Sequence, residues 1–370
     1  MTISPNQAGK VKTTAGTRII GYDFARALAI LGMFIVNFKI VMNASDVGSD
    51  WFTGLIGLLE GRAAATFVVL AGVGIALFSA RARKSDDPSD RIHAQKLLIK
   101  RAIFLFVFGL LYTPIWPADI LHFYGLYITF AALVLFASER QLLIWAGGFV
   151  AIFVLLLSLM DYEAGWDWTA LEYTDFWTPA GLVRHMFFNG WHPVFPWTAF
   201  VLLGMWLGRQ DIRNAKLQKR LLVTSLIALI IAELSSIILT MTFEPALGSD
   251  IASALFSRDM IPPMPLYMLS ASATAVIVIV LSVMCTEHFQ DKYWLQPFVS
   301  TGQLALTLYI AHVLVGMGII EALGWFEGQS LAVSVRYSIL FYIGAVIFSY
   351  YWRQYFKRGP VEWIMRQVTG

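Results

Sequence analysis

The sequence predicts an all-α, polytopic integral membrane helical bundle of about 10 transmembrane helices (10 to 12), with both termini cytoplasmic. Three observations carry this expectation. Of 370 residues, 58% are hydrophobic and only 14% are charged, whereas a soluble globular domain is about one quarter charged. The mean hydropathy is +0.66, and the apolar residues gather into repeated blocks of about twenty, the length a helix needs to cross roughly 30 Å of hydrocarbon. Lys and Arg, finally, collect in alternate loops, as the positive-inside rule requires.

The elements follow in order. Residues 1–18 form a polar cytoplasmic leader without the apolar stretch of a signal peptide. Membrane helices of an N-terminal region fill 19–208, and a second membrane region with a short cytoplasmic tail fills 209–370. Spans are predicted at about 19–42, 63–80, 99–115, 120–137, 142–160, 191–208, 219–241, 264–285, 300–320 and 332–352. Only "PIWPAD" separates the third from the fourth; its prolines end one helix and Asp119 is placed to cap the next. The run "DWFTGLIGLLE" at 50–60 is too short to span, and reads as a surface helix or as part of a broken second segment. "DMIPPMPLY" marks the entry to the eighth span.

Orientation comes from charge. "RARK" at 81–84, "RQDIRNAKLQKR" at 209–220 and "RQYFKRG" at 353–359 are basic, whereas 161–190 holds only Arg184 against five acidic residues. Loops 242–263 and 321–331 hold one arginine and none. This pattern puts His122, His185 and His192 on the outer side, His312 near the middle of the ninth span, Asp23 and Arg26 at the cytoplasmic end of the first, and Asn37 toward its outer end. The formal charge of +3 is explained by these loops, so no nucleic-acid partner is expected. A single cysteine, Cys285, excludes an intrachain disulfide framework and a cysteine-rich metal site. No HExxH pair, Walker motif or G-x-S-x-G elbow is present, and no metal is expected.

Polar groups at membrane depth must find a partner or line a wet cavity. Asp23 and Arg26 are three apart and can meet on one helical face, either as an interfacial ion pair or with Arg26 holding an anionic group that enters from the cytoplasm. Asn37 is helix glue or a substrate contact. Gly72 and Gly74, with small residues at 63–65, point to close helix packing; whether such glycine faces meet within one chain or in a homo-oligomer stays open. Glu233 serves an intrabundle hydrogen bond or a cavity. His122, His192 beside Trp191, and His312 three residues after Tyr309 are candidate bases, since imidazole titrates near neutrality; each also has a structural or interfacial reading.

"RIIGYDFARALAILGMFIVNF" resembles the opening signature of the YeiB-like membrane proteins, whose C-terminal half carries the DUF418 domain. "LEGRAAATFVVLAGVGIAL", "DILHFYGLY", "HPVFPWTAFVLLGMWLGR", "TGQLALTLYIAHVLVG" and "KRGPVEWIMRQVTG" resemble its later landmarks, so the likeness runs along nearly the whole chain. One departure is Arg26-Ala27, where the family has Arg-Gly. That family is placed with multi-span acyltransferases similar to lysosomal heparan glucosaminide acetyltransferase. The resemblance implies a bacterial inner-membrane protein that moves an acyl group, acetyl foremost, from acyl-CoA (acetyl-CoA) to a hydroxyl or amine of an extracytoplasmic or lipid-linked acceptor. In that reading His122 is the base, assisted by Tyr124 or Asn37. His312 and His192 line the acceptor side, with Trp191 and Glu233 as further substrate contacts, and Asp23 and Arg26 stand at the donor entrance. A thioester on a long pantetheine arm would bridge the depth between them. The same residues also suit a proton-coupled carrier, and a scaffold without chemistry is the third reading.

Overall fold

A computed structural model describes residues 18–44, 50–289 and 292–370; the leader reading for 1–18 lies, but for Arg18, outside them. The described chain is almost entirely helical: α1 (Ile20–Val41), α2 (Asp50–Gly57), α3 (Arg62–Phe78), α4 (Ala80–Lys84), α5 (Pro88–Tyr112), α6 (Leu121–Leu133), α7 (Glu139–Leu159), α8 (Pro179–Arg184), α9 (Val194–Leu207), α10 (Ala215–Leu247), α11 (Ser249–Phe256), α12 (Pro265–His288), α13 (Leu295–Gln303), α14 (Ala305–Ala311), α15 (Gly318–Ala322), α16 (Leu331–Tyr355) and α17 (Pro360–Thr369). A short antiparallel pair, β1 (Trp166–Asp167) with β2 (Glu172–Tyr173), sits in the connection between α7 and α9.

Helix starts follow local chemistry. Asp87 accepts from the Ser89 N–H with Pro88 at the first helical position of α5. Ser138 and Gln141 form a capping box on α7. Asn214 accepts from the first N–H groups of α10, and Ser330 caps α16.

Among the described residues, seven helices are long and apolar enough to cross a membrane: Ile20–Val41, Trp51–Phe78, Glu139–Leu159, Ala215–Leu247, Pro265–His288, Ala305–Ala322 and Leu331–Tyr355. The architecture is that of a polytopic membrane bundle. Each falls on one of the expected spans. The other expected spans are helices of a different kind. α6 and α9 have 13 and 14 residues, roughly 20 Å of rise, and both are packed inside the bundle. α5 begins with a charged stretch, "PSDRIHAQKLLIKR". "DWFTGLIGLLE" becomes α2 and a turn leading into α3, the broken-segment alternative.

α1 lies at the centre, packed against α3, α12, α13 and α16, and α3 packs in turn on α9 and α12. The α3–α9 approach is close because Gly72 faces Gly204: a Cβ on either would strike the other helix's backbone. α7 and α10 form the rim, each with only 17% of its apolar window buried, so that Leu226, Ile230 and Ile237 are left to lipid. The expected ninth span is interrupted. α13 stops at Leu304, α14 restarts at Ala305, and a π-helical turn over His312–Met317 leads into α15.

Candidate functional site

A cavity of about 420 Å³ runs along α1, between α3, α6, α13, α14 and α17. Asp23, Arg26, Met33 and Asn37 line it from one face of α1, because spacings of three and four return a helix to the same side. From Asp23 to Asn37 is fourteen residues, roughly 21 Å of rise. The cavity therefore reaches through much of the bundle's depth.

The Asp23 end is charged. The Asp23 carboxylate, almost fully buried, accepts a two-pronged contact from Arg18 (2.8 and 3.0 Å) and a third bond from Arg26 (2.7 Å), with Gln303 at 3.4 Å. The expected i,i+3 pair is formed, and both of its members line the cavity. Glu362 of α17 closes this end from the side. It accepts from the Leu306 and Thr307 N–H groups (2.8 and 3.0 Å) and from the Thr307 hydroxyl, filling the places vacated where α13 breaks from α14. Helix breaks at membrane depth need such substitutes.

The Asn37 end is neutral and rich in hydrogen-bonding groups. Asn37, Tyr124, His192 and Tyr309 line it. The Asn37 amide N–H meets His312 Nε2 at 2.9 Å, while His312 Nδ1–H donates to the Tyr309 carbonyl. His312 is thus a fully buried brace behind Asn37, leaving the second Asn37 N–H for the cavity. The Tyr309 hydroxyl donates to Asp119 (2.8 Å) and accepts from the Ile120 N–H (3.1 Å). Asp119 does cap the following helix, taking the Leu121 and His122 N–H groups at 2.9 and 3.2 Å. It also takes His122 Nδ1–H at 3.0 Å.

His122 itself is fully buried and does not line the cavity. It touches the cavity only through Asp119 and Tyr309, and its Nε2 has no partner in the described structure. Its ring packs on Phe123 and, at 5.9 Å, on His185. His192 is the histidine that lines the cavity; its buried Nδ1 has no hydrogen-bond partner in the described structure, and its ring lies against Trp197 at 4.6 Å. Trp191 packs edge-on to Trp166, away from the cavity. Glu233 lies elsewhere, bound by Arg62 (3.2 Å), Ser270 (3.0 Å) and Arg258 in an intrabundle cluster. Above His122, in the connection between α7 and α9, burial and then the neighbouring His122 push His185 well below the usual imidazole range.

Sequence reading passed over Tyr309, Gln303 and Glu362 as site residues and took Asp119 only as a cap. The signal for Tyr309 was its place one turn before His312. Among the described residues no group of three or more His, Cys, Asp or Glu is placed to hold a metal.

Residues 18–238 match the family model described as heparan-alpha-glucosaminide N-acetyltransferase, catalytic. Residues 206–370 match that of DUF418, a protein of unknown function. The chain is similar to the uncharacterized protein YeiB of Escherichia coli (strain K12), 34% identical over 68 residues, a stretch that spans only 18% of each chain. It is also similar to an uncharacterized 39.9 kDa protein in the amylase 3′ region of Bacillus acidopullulyticus, 22% identical over 95% of this chain and 94% of the relative. Neither relative's name assigns an activity.

Proposed function

We propose, from the premise that this chain belongs to the broad family of the heparan-alpha-glucosaminide N-acetyltransferase catalytic region, that it is a membrane acyltransferase. It takes an acyl group, acetyl in the simplest case, from a cytosolic acyl-CoA, and gives it to a hydroxyl or amine of an extracytoplasmic or lipid-linked acceptor. Both termini are cytoplasmic in this reading, so the Asp23 end is the donor entrance. One observation carries it: a single cavity joins a charged end to a neutral, hydrogen-bonding end.

The residues present suit such a donor. Arg18 and Arg26 have guanidinium N–H groups beyond those spent on Asp23 and would meet phosphate oxygens. The middle of the cavity, with Met33, Phe67, Leu105 and Ile128, is apolar and takes a slender arm. At the far end the thioester carbonyl comes to Asn37, whose free N–H stabilises the oxyanion, and His312 holds that amide in place. His192 removes the proton from the acceptor O–H or N–H as the new C–O or C–N bond forms. The C–S bond then breaks, and the same proton passes to the departing thiolate. Tyr309, bonded to Asp119 and through it to His122, braces His312 from behind. This moves the base role from His122, the first choice from sequence, to the imidazole that lines the cavity.

The test uses full-length protein in liposomes with radiolabelled acetyl-CoA on one side and extracted envelope glycans and lipids on the other. Label in a covalent ester or amide, lost in His192→Ala, supports the reading. Full transfer by His192→Ala removes His192 as base, and transport of solute without covalent change replaces the enzyme with a carrier.

A further inference from the structure

A second cavity, of about 460 Å³, lies where α3 and α9 end and α5 and α7 begin, outside the site described above. Arg83 from α4, Arg91 from α5 and Arg209 after α9 converge on it, with Phe136, Ser138 and Glu139 completing the wall. Two of the arginines are locked. Arg83 donates to the Ala76 carbonyl (2.7 Å) and Ser79 hydroxyl (2.6 Å), and Arg209 to the carbonyls of Ala137 (2.6 Å) and Leu135 (3.0 Å). Arg91 lies over the Phe136 ring at 5.4 Å.

None of the three forms an ion pair within the described structure, although arginine carries five N–H donors. Glu139, the one acid on the wall, is held by Gln210 at 2.9 Å. Burial, and then the charge of Arg83, push Arg209 below its ordinary value. Three guanidinium groups thus face one carboxylate around an open, solvent-reached hollow, with donors left over from the contacts named above. A basic loop that serves insertion topology alone needs neither a cavity nor side chains clamped to helix-end carbonyls.

We propose that this cavity is a binding site for a phosphate group, held by Arg83, Arg91 and Arg209 at the helix ends. Guanidinium and phosphate match in charge and in paired N–H···O geometry. A phospholipid headgroup and a soluble phosphate compound share that chemistry. The site stands whether or not the chain transfers acyl groups.

The test uses full-length protein in nanodiscs. In one arm the discs are phosphatidylcholine alone and inorganic pyrophosphate is titrated, read by calorimetry at low salt. In the other, phosphatidylglycerol is mixed into the discs and its retention is read by native mass spectrometry. Binding in the first arm assigns a soluble phosphate, and retention in the second a headgroup. Either one is expected to weaken about tenfold in R91Q, since a charge-assisted pair is lost, and to strengthen severalfold in E139Q. Arg91 is exposed and its loss leaves the helix-end clamps intact, so R91Q tests the site without the folding risk of R209Q. Binding in neither arm, or binding indifferent to both R91Q and E139Q, overturns the proposal.

Discussion

The two ends of the long cavity are built on opposite principles. At one end Asp23 is held by two arginines and a glutamine, and Glu362 satisfies a broken helix. At the other, Asn37, Tyr124, His192 and Tyr309 offer neutral donors and acceptors, and the nearest carboxylate, Asp119, is turned to Tyr309, His122 and backbone. Charge that stays near a membrane face keeps part of its hydration, whereas charge at depth must be fully matched by protein groups. In the proposed reaction the difference separates holding from reacting: the paired charges grip the anionic donor, and the neutral end supplies a base and an oxyanion donor without an ion buried in advance.

That division predicts unequal mutational effects. The largest belong to the neutral end. His192→Ala or Asn37→Ala is expected to lower kcat for acyl transfer by about 10²–10³-fold, the range for removing a general base or an oxyanion donor, at temperatures where the variant is still fully folded; a loss of kcat seen only where the variant has begun to melt would make these residues structural. Next comes Glu362→Ala. It strips three hydrogen bonds from Leu306 and Thr307 and should cost about 2–3 kcal/mol, read as a fall in melting temperature in detergent; an unchanged value would mean that water replaces the carboxylate. Arg26→Gln should raise the donor KM about tenfold with little change in kcat, and a kcat effect instead would erase the distinction between the ends.

The smallest effect is a pH dependence. His185 stays neutral when folded because burial holds its affinity for protons down. The unfolded chain takes a proton there below the ordinary imidazole value of about 6.5, so the unfolded state binds more protons and stability falls as pH drops through that value. The slope is at most about 1.4 kcal/mol per pH unit. Melting temperatures between pH 7 and 5 should fall less steeply in His185→Gln than in the native protein.

Much of the fold was legible because apolar blocks and basic loops are local signals. Asp23 with Arg26, and Asp119 with the first N–H groups of α6, are separated by two or three residues, so helical geometry alone brought them together. The site was legible only in its residue types. Asn37 meets His312 across 275 residues, Tyr309 meets Asp119 across 190, and Glu362 meets Thr307 across 55. Periodicity cannot see such pairings, which arise from how whole helices pack. The same limit explains His122. Its residue type and depth suited a base, but helix rotation decided that Tyr124 faces the cavity while His122 faces His185.

The pairing of Asn37 with His312 also has a bearing on biosynthesis. The first wall of the cavity leaves the ribosome long before α13, α14 and α17 exist to complete it. A chain stopped short of His312 has no brace for Asn37, and one stopped short of Glu362 leaves the start of α14 without its capping carboxylate. Nascent and truncated chains therefore carry an unfinished cavity, whose walls close only once α13, α14 and α17 have packed against α1.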